Sequence, residues 1–171
     1  LNSSARLTTD NLTDSKTFVE NFALPTIGQP IPIDNIFFEF GKADLTPESE
    51  TALRGTVKML TDNPNIAIEI AAHTDCVGSD DANMKLSEAR AKSVVDFLVQ
   101  AGIAPDRLTA NGESRPVVVD ETMAKELRFV KKDEILNEKL VKLLTPEQQE
   151  IVNAINRRTE FKVTKTTYNI Y

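Results

Sequence analysis

The chain has little of what builds cross-links and clusters: one cysteine, one histidine and no dense run of lysine or arginine. The single Cys76 excludes an intrachain disulfide. With His73 as the sole histidine and no cysteine pair, a zinc site is not expected, nor is any other metal or cofactor. Basic residues number 20 against 26 acidic ones, a net charge of −6, and Lys131-Lys132 is followed at once by Asp133-Glu134. Nucleic acid is therefore excluded as a partner, since it demands a concentrated basic surface. No apolar run approaches the roughly 20 residues that cross a bilayer, so no direct membrane span is expected in this chain. No signal peptide is visible and the sequence starts at Leu1. It reads as a piece of a longer protein whose membrane anchor lies in the missing part.

What is present is ordinary for a folded domain. A chain of 171 residues, 40% hydrophobic and 27% charged, is long enough to bury a core without staples. Residues 1–32 are rich in Ser, Thr, Asn and Asp, with Pro25, Gly28, Pro30 and Pro32 further on. That is the composition of a linker or arm, so the domain proper is expected over residues 33–171. In residues 33–40, Ile36, Phe38 and Phe40 alternate, which predicts the first strand. Thr46-Pro47-Glu48 opens a helix, with a capping hydroxyl, a proline at the first position and an acid near the dipole's positive end. Its buried stripe is Leu53, Val57 and Leu60, and Asn63-Pro64 stops it. Ile66, Ile68 and Ile70 alternate in a second strand running to about Ala72. The next helix is predicted to start at Ser87, bury Ala91, Val94, Val95 and Leu98, and stop at Gly102. Leu108 to Asn111 forms a third strand ending at Gly112, and residues 159–164 a last one that buries Phe161 and Val163. Between them, residues 121–155 read as a helical insertion. Leu136, Leu140, Leu143 and Leu144 share a helical face there, and Thr145 with Gln148 makes a capping box. The fold class is α/β: a βαβαβ sandwich, a mixed sheet with helices packed on it and a helical insertion before the last strand.

The stretch from His73 to Gly78, followed by Asn83 to Ala91, carries the chemistry. Asp75 sits at the C-terminal end of the second strand, where ligands of α/β sheets commonly bind, and Gly78 permits a tight turn. If Ser87 caps the helix, Arg90 falls in its first turn, where the dipole disfavours a cation. Its guanidinium is then expected to serve another group, and its planar fork suits a carboxylate. An acid and an arginine held this way suit a zwitterion, a ligand with an ammonium and a carboxylate on one carbon. Spacing alone leaves equal room for a plain Asp75–Arg90 salt bridge tying the loop to the helix.

These residues resemble the signature of the OmpA-like peptidoglycan-binding family, H-T-D-x-x-G followed by N-x-x-L-S-x-x-R-A. Phe38 to Pro47 resembles the family's first strand and turn. Gly102 to Leu108, Gly112 to Pro116, and Asn156-Arg157-Arg158-Thr159-Glu160-Phe161 match its later landmarks. The resemblance covers roughly residues 33–120 and 156–165. It implies non-catalytic, non-covalent binding of peptidoglycan through the diaminopimelate of the stem peptide. Asp75 would take the ammonium and Arg90 the carboxylate. Asn83 would bond the same group and Arg157 would help. Leu86 belongs to the same motif, and the turn at Gly41, Lys42 and Ala43 would offer backbone contacts. The implied location is the periplasm, attached to the outer membrane, with other envelope or secretion-system proteins as partners. Glu39 and Gly41 depart from the family's usual acids. The longer 121–155 segment and the N-R-R-T-E-F ending resemble the OmpA-like domains of Bacteroidota envelope proteins, among them a component of the type IX secretion system.

Rival readings rest on weaker features. A scaffold that has lost its ligand fits the Gly41 change and the insertion, but not the retained Asp75, Asn83, Arg90 and Arg157. An enzyme would need paired carboxylates or a metal, and the sequence shows neither constellation. His73 reads as a satisfied histidine near the strand end. Cys76 makes a poor nucleophile, because neighbouring Asp75 raises its thiol pKa. Asp75, Asp80, Asp81 and Asn83 do not have the spacing of a calcium loop, whose final glutamate is absent. The leucine face of residues 136–144 is expected to be core contact or cover for the sheet, or a partner surface if left exposed.

Overall fold

A computed structural model describes residues 26–39 and 41–168. The chain runs β1 (Ile31–Pro32), α1 (Pro47–Asp62), β2 (Ala67–Ala72), α2 (Asp80–Gln100), β3 (Leu108–Gly112), α3 (Glu121–Leu127), α4 (Glu138–Val141), α5 (Pro146–Asn156) and β4 (Thr159–Lys165). Four strands form one mixed sheet in the order β1-β4-β2-β3; β2 and β3 are parallel, and β4 is antiparallel to both β1 and β2. The α/β sandwich expected from the sequence is the observed one. Residues 1–25, where most of the arm was expected, lie outside the described residues, while Ile31 and Pro32 pair with Phe161 and Glu160 of β4.

Alternation decides which side of the sheet is dry. Ile68 and Ile70 of β2 face Val163 and Phe161 of β4 across the ladder and bury against Leu53, Leu60, Ala91, Val94 and Leu98 of α1 and α2. The in-between residues Glu69 and Lys162 pair on the other face, where Lys162 Nζ lies 3.2 Å from Glu69 and 3.0 Å from Glu113. At the end of β3 the backbone runs so close to α2 that a Cβ on Gly112 would meet the Glu88 nitrogen at 2.4 Å and Ser87 Oγ at 2.6 Å. Close approach, not a turn, therefore requires this glycine.

Three elements differ from the sequence reading. The strand expected over residues 33–40 does not form. Asn35 adopts φ 61 in a turn, and the N–H and C=O of Phe37 bond the Ser49 hydroxyl of α1 at 2.6 and 2.8 Å instead of a strand. Extended pairing falls back to Ile31–Pro32, with an isolated bridge from Phe38 to Leu45. Phe40 lies outside the described residues.

Helix α2 starts at Asp80, seven residues before Ser87. Ser79 is the cap, accepting from the Ala82 N–H, and Asp80 and Asp81 complement the dipole. Ser87 is buried mid-helix and donates to the Met84 carbonyl. The polar run before Leu86 carries no apolar periodicity, so the pattern became visible too late. Arg90 consequently lies about three turns inside the helix, where the dipole exerts no penalty.

The leucine face also breaks up. Leu136 is fully buried but precedes the four-residue α4, and Leu143 is 83% exposed. Leu136 instead centres a second, smaller core with Val119, Val130, Val141 and Val152. The capping box at Thr145 and Gln148 forms as read.

Candidate functional site

The loop after β2 is built from its own side chains. Asp75 Oδ1 accepts from the Val77 N–H at 3.1 Å, Gly78 turns the chain at φ 99, and Asn83 Nδ2 donates to the Asp75 carbonyl at 3.3 Å. His73, nearly fully buried, accepts from the Arg115 N–H through Nδ1 at 3.0 Å and faces Glu160 Oε2 with Nε2 at 3.2 Å. An accepting Nδ1 assigns the Nε2–H tautomer, which makes this the satisfied histidine the sequence suggested. Hydrogen bonding from His73, aided by Arg158 Nε at 2.6 Å and opposed by burial, holds the Glu160 carboxyl at about 2. The Cys76 thiol is pushed up chiefly by burial, then by Asp75.

The Asp75–Arg90 ion pair weighed from the sequence does not form. Arg157, at the C-terminal cap of α5, takes Asp75 instead, with Nη1 at 3.0 Å from Oδ2, while its Nη2 reaches Glu150 at 2.6 Å. Arg90 is 5% exposed and its hydrogen-bond partners are neutral carbonyls. Its Nε donates to the Lys42 carbonyl at 3.0 Å, its Nη2 to the Glu39 carbonyl at 3.5 Å, and its guanidinium lies 4.9 Å from the Phe38 ring centroid. Among the described residues no carboxylate forms an ion pair with it. Burial lowers its pKa, Asp75 raises it and Arg157 lowers it further. The turn after Glu39 thus steers the arginine through backbone oxygens.

A cavity of about 450 Å³ opens between these elements, lined by Asp75, Asn83, Leu86, Arg90 and Arg157, with Gly41, Phe38, Thr74, Val77, Glu150 and Asn153. The structure brings together six of the eight residues singled out in the sequence. Lys42 and Ala43 do not line it; the Lys42 side chain pairs with Glu39 and its carbonyl serves Arg90. Phe38, Thr74, Val77, Glu150 and Asn153 line it without having been singled out. The signal for the last two was a polar stripe on α5, where Glu150, Asn153 and Arg157 recur at i, i+3 and i+7. Two acids and two arginines line one cavity, a balance that suits a ligand carrying both charges. Among the described residues no group of three potential metal-binding side chains converges there or elsewhere.

A family model described as the OmpA family matches residues 37–128, more than half of the chain. Outer membrane porin F of Pseudomonas fluorescens is 39% identical over 92 residues, which cover 53% of this chain and 28% of that protein. Outer membrane protein A of Escherichia fergusonii is 41% identical over 87 residues, 48% of this chain and 36% of that protein. The chain thus spans only about a third of the length of these curated relatives. Among solved structures, the peptidoglycan-associated lipoprotein from Burkholderia pseudomallei superposes with a TM-score of 0.54 at 19% identity, covering 75% of this chain and 87% of that one. The cell wall anchor of the T6SS from Pseudomonas aeruginosa gives a TM-score of 0.51 at 22% identity, covering 80% and 79%. Both likenesses are to the fold.

Proposed function

The chain belongs to the OmpA family, and on that premise we propose that it binds peptidoglycan non-covalently, through the diaminopimelate of the stem peptide, and so holds an envelope protein to the cell wall. The observation that carries the reading is Arg90, a buried guanidinium that forms no ion pair with a carboxylate among the described residues, facing a cavity that Asp75 also lines. A charge removed from water is costly unless paired, so the arginine is set to gain most from a ligand carboxylate. In this reading Arg90 takes the side-chain carboxylate of diaminopimelate and Asp75 the ammonium on the same carbon. Asn83 holds the Asp75 loop, Leu86 walls the cavity, and Arg157 shares Asp75 with the ligand. The names of two fold neighbours, a peptidoglycan-associated lipoprotein and a cell wall anchor, agree with it.

The module works in the periplasm, tied to the outer membrane by a part of the protein outside this sequence. Its finer placement, in a Bacteroidota envelope protein and in a type IX secretion assembly, rests on the N-R-R-T-E-F ending and the helical 121–155 segment.

A stem peptide with lysine in the diamino position lacks the side-chain carboxylate and leaves Arg90 unpaired, a cost on the order of 1–3 kcal/mol. Calorimetric titration is expected to show the diaminopimelate peptide binding about 10- to 100-fold tighter than the lysine peptide. Asp75→Ala and Arg90→Ala are expected to lose binding while folded. Equal affinity for the two peptides would sink the proposed specificity. No binding of either would favour a protein–protein scaffold.

A further inference from the structure

We infer that Asn153 is a specificity-determining residue of this cavity, its side-chain oxygen accepting a hydrogen bond from the ammonium of the bound zwitterion. This rests on the proposed ligand and adds a contact that the Asp75–Arg90 motif does not contain. Asn153 lies on α5 between Glu150 and Arg157, lines the cavity and is 7% exposed. Among the described residues its Oδ1 is the only buried side-chain nitrogen or oxygen without a hydrogen-bond partner. An orphaned amide oxygen costs free energy in the unliganded protein, and such an atom in a native core calls for an explanation. No side-chain hydrogen bond holds the amide in place, and rotation about χ2 is soft, so the oxygen turns towards a donor readily.

The balance of donors and acceptors identifies that donor. Arg90, Arg157 and Asn83 offer the cavity N–H groups for a ligand carboxylate. Acceptors are scarcer: Asp75 already receives Val77 and Arg157, and Glu150 receives Arg157. An ammonium brings three N–H groups, and Asn153 supplies the one buried side-chain oxygen of the lining that no donor already occupies.

The test crosses one substitution with one ligand deletion. A stem peptide carrying 2-aminopimelate in place of diaminopimelate keeps the side-chain carboxylate and lacks the ammonium. Asn153→Leu is expected to weaken the diaminopimelate peptide by about tenfold and to leave the 2-aminopimelate peptide unchanged, in calorimetric titrations of both proteins. Its thermal midpoint is expected to equal or exceed that of the wild type, because an unpaired buried oxygen is gone. Equal losses on both peptides, or none on either, would overturn the assignment; so would a lowered midpoint with binding intact, the mark of a structural residue. Should Asn153→Leu fail to fold, Asn153→Asp decides. It keeps an acceptor and is expected to raise the preference for the diaminopimelate peptide, and an unchanged preference overturns the proposal. Wild-type protein that binds no diaminopimelate peptide sinks the parent reading as well, whereas lost coupling alone sinks only Asn153.

Discussion

Glu160 shows how single residues keep the strand end in place beneath the site. It accepts from His73 and Arg158, and these bonds hold its carboxyl at about 2 instead of the ordinary 4.5. A depressed carboxylate pKa stabilises the fold above the unfolded value, and that contribution is lost as pH falls through the folded one. Glu160→Gln is therefore expected to cost about 2–3 kcal/mol at pH 7, with the difference from wild type closing between about pH 4.5 and 2. Urea denaturation across that range reads it directly, and a pH-independent difference would contradict it. Arg90 and Asp75 were legible as candidate site residues because the motif spells them out, and both line the cavity. Their partners were not, because a sequence pattern cannot say which of several cations an acid will meet. Arg157, 82 positions from Asp75, reaches it only through the β2–β4 pairing, and Asn153 is signalled only by its place on the polar stripe of α5.

At the scale of elements, capping chemistry and alternation held at four places and failed at two, the Ser87 cap and the alternation over residues 33–40. Thr46, the β2 isoleucines, the Thr145–Gln148 box and the β4 alternation all stand where the sequence puts them, since each depends on neighbours within one turn or one ladder. The start of α2 was hidden by a polar first turn without an apolar stripe, and the strand over residues 33–40 was settled by a tertiary contact, the Ser49 hydroxyl that claims the Phe37 backbone. The same is true of Arg107, whose guanidinium caps the C-terminal end of α1 by donating to the Leu60 and Asn63 carbonyls at 2.7 and 2.8 Å. Gly112 lets β3 touch α2, and the neighbour a Cβ would strike is backbone. Gly112→Ala is expected to force the strand and helix apart at a cost of about 1–3 kcal/mol, measured as a lowered denaturation midpoint. An unchanged midpoint would show that the helix yields freely there.

At the scale of the whole molecule, the described residues carry two hydrophobic clusters, one under the sheet and a smaller one within residues 117–155. A short polar seam links them: Asn156 accepts from the Val117 N–H at 2.9 Å and donates to the Leu136 carbonyl at 2.8 Å, and the Cys76 thiol meets the same carbonyl at 3.4 Å. A small cluster attached by few bonds opens before the whole does. Alkylation of Cys76 is therefore expected to run through an opening of lower free energy than global unfolding. The comparison is of alkylation rate with denaturant stability, and equal free energies would mean one cooperative unit. The buried guanidinium of Arg90 has a consequence on a longer timescale. Any ligand that neutralises it stabilises the folded chain by mass action, so on the proposed function copies engaged at the wall would unfold less often than copies adrift. Proteases that act on open states then remove mainly the unengaged molecules. On that reading Arg90, which pairs with no carboxylate among the described residues, couples the lifetime of the protein to its being in the right place.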